Sequence, residues 1–211
     1  MIGVFGGTFD PIHFGHLRCA WEIAELLELR EVRMLPAGRP PHRNVPQASP
    51  EQRRRALELA LEGQSLLRLD TRELDRSGPS YMVDTLTSLR AELGGTSLCL
   101  ILGQDAFNGL ADWNRWEQIP ELAHLVVITR PGVEQPVNGP LAALIEQRSV
   151  ESLDALRARP SGNILFRTVT ALGFSASGIR RLLASGRSPR YLLPEKVLDY
   201  LQQEQVYRDV D

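Results

Sequence analysis

Much is missing from these 211 residues, and each absence removes a class of protein. Only two cysteines occur, Cys19 and Cys99, and they lack metal-ligand spacing; both read as buried thiols of a reducing compartment. No run of about 18 apolar residues exists, so nothing is expected to span a membrane. The N-terminus has no basic segment leading into a longer apolar stretch, so it is not read as a signal peptide, and a cytoplasmic protein is expected. An excess of positive charge is lacking too. Lysine and arginine total 24 against 26 acidic residues, a net charge of −2, which does not suggest long nucleic acid as a partner but leaves room for a small basic pocket. Both common glycine-rich phosphate loops are absent: there is no GxxxxGK[ST], and Gly3-x-x-Gly6-Gly7 is not GxGxxG. A P-loop NTPase and an ordinary dehydrogenase are therefore poor fits. No internal repeat, low-complexity tract or long linker is present.

What is present is an alternation of short apolar runs with helical patterns. Apolar residues at 43% and charged residues at 24% are ordinary for a globular chain, and the length suits one domain. Strands are expected near 2–5, 32–36, 66–70, 98–102, 125–129 and 164–169. Leu98-Cys99-Leu100-Ile101-Leu102 is apolar throughout, as a central parallel strand covered on both faces should be. Between the strands, Leu17, Ala20, Trp21, Ala24 and Leu27 recur at helical spacing. Ser49-Pro50-Glu51-Gln52 reads as a capping box opening a second helix. Further helices are expected over Tyr81–Leu93, from about Phe174 to Leu183 and over Pro194–Gln203, with short turns in 106–122. Arg53-Arg54-Arg55 reads as a solvated helix face. Residues 133–162 say least, apart from a helical pattern over Leu141–Glu146. The expectation is an α/β protein with a doubly wound parallel sheet, as one domain over 1–211 with a core at 1–185 and a helical C-terminal end at 186–211.

Two stretches carry chemistry. The first follows the opening strand: Gly6-Gly7-Thr8-Phe9-Asp10-Pro11-Ile12-His13-Phe14-Gly15-His16. It is a glycine turn that delivers two imidazoles to a helix start, where free N–H groups and the helix dipole favour phosphate. A metal pair is the plainer alternative, but no further ligands stand nearby; turn-capping histidines are another. The second stretch is Phe174-Ser175-Ala176-Ser177-Gly178-Ile179-Arg180-Arg181. Two hydroxyls, a glycine and an arginine at a helix start form an anion clamp, or simply a capped helix with a solvated arginine.

Together, in this order, the two stretches resemble the signature of a nucleotidyltransferase superfamily with a His-x-Gly-His element and a C-terminal Ser-x-Ser/Thr-x-Ile-Arg element. The remaining matches are similar to the bacterial nicotinate-nucleotide adenylyltransferases. They are Pro40-Pro41-His42-Arg43, Gly78-Pro79-Ser80-Tyr81 with Asp84-Thr85-Leu86, Gly103-Gln104-Asp105 followed by Trp113, and Ile128-Thr129-Arg130-Pro131-Gly132. The resemblance runs to about residue 185. Arg43 stands where lysine is common, and Ala176 and Ser177 stand where serine and threonine are usual.

The resemblance implies a Rossmann-like nucleotidyltransferase fold. It also implies adenylyl transfer from ATP to nicotinate mononucleotide, with Mg²⁺ on the ATP phosphates and no dedicated protein metal site. His16, with His13 beside it, would contact the α-phosphate, and Gly6, Gly7, Thr8 and Phe9 would frame the phosphates. Ser175, Ser177 and Arg180 would hold the β- and γ-phosphates, while Gly103 and Asp105 would face the adenosine. Trp113 would stack on the pyridine ring, Thr85 would help select its carboxylate, and His42, Arg43 and Arg130 would meet the acceptor phosphate. Small-molecule substrates, no nucleic acid or membrane partner, and a monomer or weak homo-oligomer are expected. Three alternatives stay open. One is a sister enzyme acting on another small phosphate such as phosphopantetheine, and another is a non-catalytic nucleotide sensor. The third, an RNA-charging synthetase, shares the His-Phe-Gly-His element but would need a Lys-Met-Ser-Lys-Ser loop, which is lacking.

Overall fold

The computed structural model describes residues 1–40, 45–129, 135–170 and 172–208. Six strands alternate with helices along it. The first half runs β1 (Ile2–Gly7), α1 (Phe14–Leu26), β2 (Glu31–Pro36), α2 (Pro50–Ala60), β3 (Leu67–Leu69), α3 (Met82–Leu93) and β4 (Leu98–Gly103). The second half runs α4 (Gln104–Asn108), α5 (Ile119–Leu122), β5 (His124–Thr129), α6 (Gly139–Arg148), α7 (Leu153–Arg157), β6 (Ile164–Thr168), α8 (Ala176–Ala184) and α9 (Glu195–Gln203). All pairings are parallel and the order is β3-β2-β1-β4-β5-β6. This is the doubly wound arrangement expected, with the direction of winding reversing between β1 and β4.

The alternation of side chains along each strand divides the core in two. Val32, Met34, Cys99, Ile101, Val126 and Leu165 join α1, α2, α8 and α9 on one face of the sheet. Ile2, Val4, Leu98, Leu100, Leu125 and Val127 join α3 to α6 on the other. Helix α9 contributes Val197, Leu198 and Leu201 to the first core.

Most boundaries fall within a residue or two of expectation. The capping box forms as read: the Ser49 hydroxyl accepts from the Gln52 amide at 3.2 Å, and the Gln52 side chain accepts from the Ser49 amide at 2.8 Å. Three readings change. Helix α1 opens at Phe14 rather than Leu17, which makes His13 its N-cap and puts His16 in its first turn. Cys99 is fully buried and its thiol is pushed up to about 12 by burial, but Cys19 is only half-buried. Arg53 is not solvated: it is 1% exposed on the inner side of α2, whereas Arg54 and Arg55 are exposed and reach Glu58. Residues 139–148 and 153–157, in the stretch that said least, form α6 and α7.

Candidate active site

In an open parallel sheet, ligands settle at the carboxyl ends of strands where the winding reverses. Phe5 pairs with Ile101 across β1 and β4, so Gly6-Gly7 and Leu102-Gly103 end on the same edge. The loop leaving β1 turns sharply there. Phe9 takes a left-handed φ of 50° while its ring is buried edge-on to Phe5 at 6.2 Å and to His16 at 5.1 Å. That backbone costs on the order of 1 kcal/mol for a side chain of this size, and the buried ring offsets it.

Two buried charges hold the loop. Arg53 Nη1 donates to the carbonyls of Thr8 at 2.9 Å and Ala37 at 2.7 Å, and Nη2 reaches the Gly38 carbonyl at 3.4 Å. Asp10, 5% exposed, accepts from the amides of Gln47 at 2.9 Å and Ala48 at 3.0 Å and from the Tyr207 hydroxyl at 2.7 Å. Backbone carbonyls and amides that would otherwise be orphaned in a tight turn are thereby partnered.

Beyond this loop the histidine rings stack, with centroids 3.8 Å apart and planes 24° from parallel. The edge of Phe174, just before α8, closes on His13 at 5.5 Å. Position 15 leaves no room for a Cβ beside the His13 ring: one on Gly15 would lie 2.8 Å from His13 Cε1 and 2.9 Å from Nδ1. Burial outweighs hydrogen bonding for His13 and holds its imidazole down at about 4, so it is neutral at pH 7. Its Nδ1 is buried without a hydrogen-bond partner among the described residues.

The second motif reaches the first directly. Ser175 is the N-cap of α8; its hydroxyl accepts from the Gly178 amide at 3.3 Å and lies 3.0 Å from the Ser177 hydroxyl. Arg180, from the second turn, donates through Nη1 to the Asp10 carbonyl at 2.6 Å, across 170 positions of sequence. The same nitrogen lies 3.6 Å from the Asp10 carboxylate. At the end of β4, a Cβ on Gly103 would meet nothing within 4 Å among the described residues, and Asp105 is exposed in the first turn of α4.

The acceptor-side residues divide. Trp113 is half-buried against the core under α3 to α6. Thr85 is fully buried, and its hydroxyl donates to the Glu73 carboxylate at 2.7 Å instead of standing free for a ligand. Burial raises Glu73, and its bonds from Thr85 and Ser80 oppose that shift. His42, Arg43 and Arg130 lie outside the described residues. Sequence reading passed over Asp10, Arg53, Glu73 and Tyr207. Arg53 alone had a visible signal, since it shares the helical face of Ala56 and Leu57.

A parallel sheet wound 3-2-1-4-5-6, with a His-x-Gly-His helix start at its switch point, defines a nucleotidyltransferase. The profile of the family described as Cytidylyltransferase-like matches residues 4–182. A relative from Methylococcus capsulatus, named "Probable nicotinate-nucleotide adenylyltransferase", is 51% identical over 208 residues, covering 98% of this chain and 99% of its own length. One of the same name from Halorhodospira halophila is 55% identical over 196 residues, 93% of this chain and 90% of its own. Among solved structures, Plasmodium falciparum nicotinic acid mononucleotide adenylyltransferase complexed with NaAD shares the fold, at a TM-score of 0.72 and 15% identity over 98% of this chain and 96% of that one. The chain belongs to the nicotinate-nucleotide adenylyltransferases, the NAD-biosynthetic enzymes that transfer adenylate from ATP to nicotinate mononucleotide and release pyrophosphate.

Proposed function

We infer that this transfer takes place over the stacked histidines, at the edge shared by β1 and β4. The acceptor's phosphate oxygen attacks the α-phosphorus, the bond to the leaving pyrophosphate breaks, and the dinucleotide forms. A phosphate monoester with a second pKa near ~6 is already ionised at pH 7, so no general base is needed. Catalysis then rests on holding two anions in line and stabilising charge as it moves.

His16 meets the α-phosphate, with His13 beside it, and the backbone of Gly6, Gly7, Thr8 and Phe9 frames the phosphates. Ser175, Ser177 and Arg180 take the β- and γ-phosphates, and the Arg180–Asp10 bond places that guanidinium beside the first motif. Gly103 and Asp105 face the adenosine, where the open space over Gly103 suits close approach. Trp113 stacks on the pyridine ring, and His42, Arg43 and Arg130 meet the acceptor phosphate. Thr85 acts with Glu73, because its hydroxyl proton is already committed to that carboxylate. Mg²⁺ would accompany ATP and would neutralise charge on its phosphates. The enzyme is read as cytoplasmic, monomeric or weakly self-associating, with small-molecule partners; no helix among the described residues is long and apolar enough to cross a membrane.

The observation that carries this reading is the stacking of His13 on His16 at 3.8 Å at the mouth of the switch point. It is tested by measuring pyrophosphate from Mg-ATP with nicotinate mononucleotide, its amide analogue and phosphopantetheine in parallel. Release with the nicotinate compound is expected; release with phosphopantetheine alone overturns the acceptor assignment. His16→Ala should lower turnover by roughly two to four orders of magnitude, as loss of a preorganised donor does. Near-normal turnover in a folded variant removes His16 from the mechanism.

A further inference from the structure

One residue outside both motifs touches the point where they meet. Tyr207 lies beyond α9, at 6% exposure, with a left-handed φ of 70°. Its hydroxyl donates to Asp10 Oδ1 at 2.7 Å, although 197 positions separate the two residues. Asp10 faces Arg180 through a second oxygen: Arg180 donates to the Asp10 carbonyl at 2.6 Å, while the carboxylate stays 3.6 Å from the same nitrogen.

This is a choice between two acceptors. A guanidinium within reach of a buried carboxylate ordinarily forms a close, charge-assisted pair. Here Oδ1 accepts from Tyr207 and the Ala48 amide, and Oδ2, the oxygen 3.6 Å from Arg180, accepts from the Gln47 amide, so three donors already draw on the carboxylate's charge. We propose that Tyr207 is a positioning residue for ATP binding: by occupying the Asp10 carboxylate, it keeps Arg180 on the neutral Asp10 carbonyl, with its charge available to the β- and γ-phosphates. The inference rests on the assignment of Arg180 to those phosphates. Without the phenol, the carboxylate loses one of its three donors and carries less diluted charge, and Arg180 closes the 3.6 Å gap to Oδ2 and moves away from the nucleotide.

Tyr207→Phe removes the hydroxyl and keeps the buried ring. Loss of one hydrogen bond of ordinary strength converts to a rise in KM for ATP of roughly threefold to tenfold, larger than any change in kcat. A purely structural role would lower Tm and leave KM for ATP alone. Asp10→Asn removes the competing charge, so adding Tyr207→Phe to it should raise KM for ATP no further. Unchanged KM in a folded Tyr207→Phe, or additive effects in the double variant, overturns the proposal. Should Asp10→Asn fail to fold, calorimetric binding of pyrophosphate to Tyr207→Phe decides it alone: weaker binding supports the proposal and equal binding refutes it. Arg180→Ala separates the two layers. If it leaves KM for ATP unchanged, the phosphate role of Arg180 itself fails; if it raises KM while Tyr207→Phe does not, only the role of Tyr207 is lost.

Discussion

The most informative perturbation is His13→Asn, because it isolates a proton. Burial lowers the His13 imidazole from 6.5 to about 4. The unfolded chain therefore takes up this proton at a higher pH than the folded protein does. Stability from keeping the ring neutral is fully present above 6.5, drains as pH falls, and is exhausted near 4. The whole difference is worth about 3 kcal/mol, of which about 2 kcal/mol is lost by pH 5. Asparagine is a good N-cap and cannot titrate, so the variant should lose correspondingly less stability between pH 7.5 and pH 5. Urea unfolding of both proteins at the two pH values, with m-values compared, gives the difference. His124 is also lowered by burial, but it acts in both proteins and cancels. The same ring should answer to substrate, since a phosphate beside it favours the imidazolium. Calorimetry of ATP binding at pH 6, in two buffers of different ionisation enthalpy, should show proton uptake that His13→Asn reduces. Equal acid sensitivity of the two proteins, together with equal uptake, would refute the view of His13 as a neutral ring waiting for an anion.

Two further substitutions separate site geometry from stability. Gly15→Ala should favour the helix by up to about 1 kcal/mol, yet its Cβ would land 2.8 Å from His13 Cε1. Turnover should fall roughly tenfold to a hundredfold with little change in Tm, as misplacement of a reacting group does; unchanged turnover would show that the ring's position is unimportant. Arg53→Met should cost about 3 kcal/mol in chemical denaturation, because buried carbonyls lose their donor. Arg54→Met should stay within about 0.5 kcal/mol, and equal small losses in both would put Arg53 back on the solvated face.

What could be read from the sequence follows how locally each feature is encoded. The apolar run 98–102 and the Ser49–Gln52 capping box specify their own structure within a few residues, and both fold as expected. The two phosphate motifs were legible because glycine, imidazole and hydroxyl groups at a helix start have few other reasons to coincide. Their joining was not, since the Arg180–Asp10 bond depends on how α8 and the β1 loop meet over the sheet edge. Arg53 shows a different limit. A run of three arginines resembles a charged surface, and only the spacing to Ala56 and Leu57 betrays that the first one points inward. For Thr85, the resemblance implies a hydroxyl that helps select the substrate carboxylate, whereas folding brings Glu73 up to accept its hydrogen bond.

The electrostatics of the site follow from these partnerships. A triphosphate invites the expectation of a strongly positive cleft, yet the chain carries a net charge of −2 and His13 is neutral at pH 7. The charge of Arg53 is turned onto the carbonyls of Thr8, Ala37 and Gly38. Arg180 is held beside Asp10, on its carbonyl and short of its carboxylate. Positive charge is thus supplied sparingly until the nucleotide arrives. If phosphate sits beside His13 as proposed, it would raise the imidazole, and part of the charge that binds ATP would be created by binding ATP. A cleft built in this way avoids the cost of burying several unpaired cations in the free protein. It would also make affinity depend on pH through His13, with no proton transfer in the reaction itself.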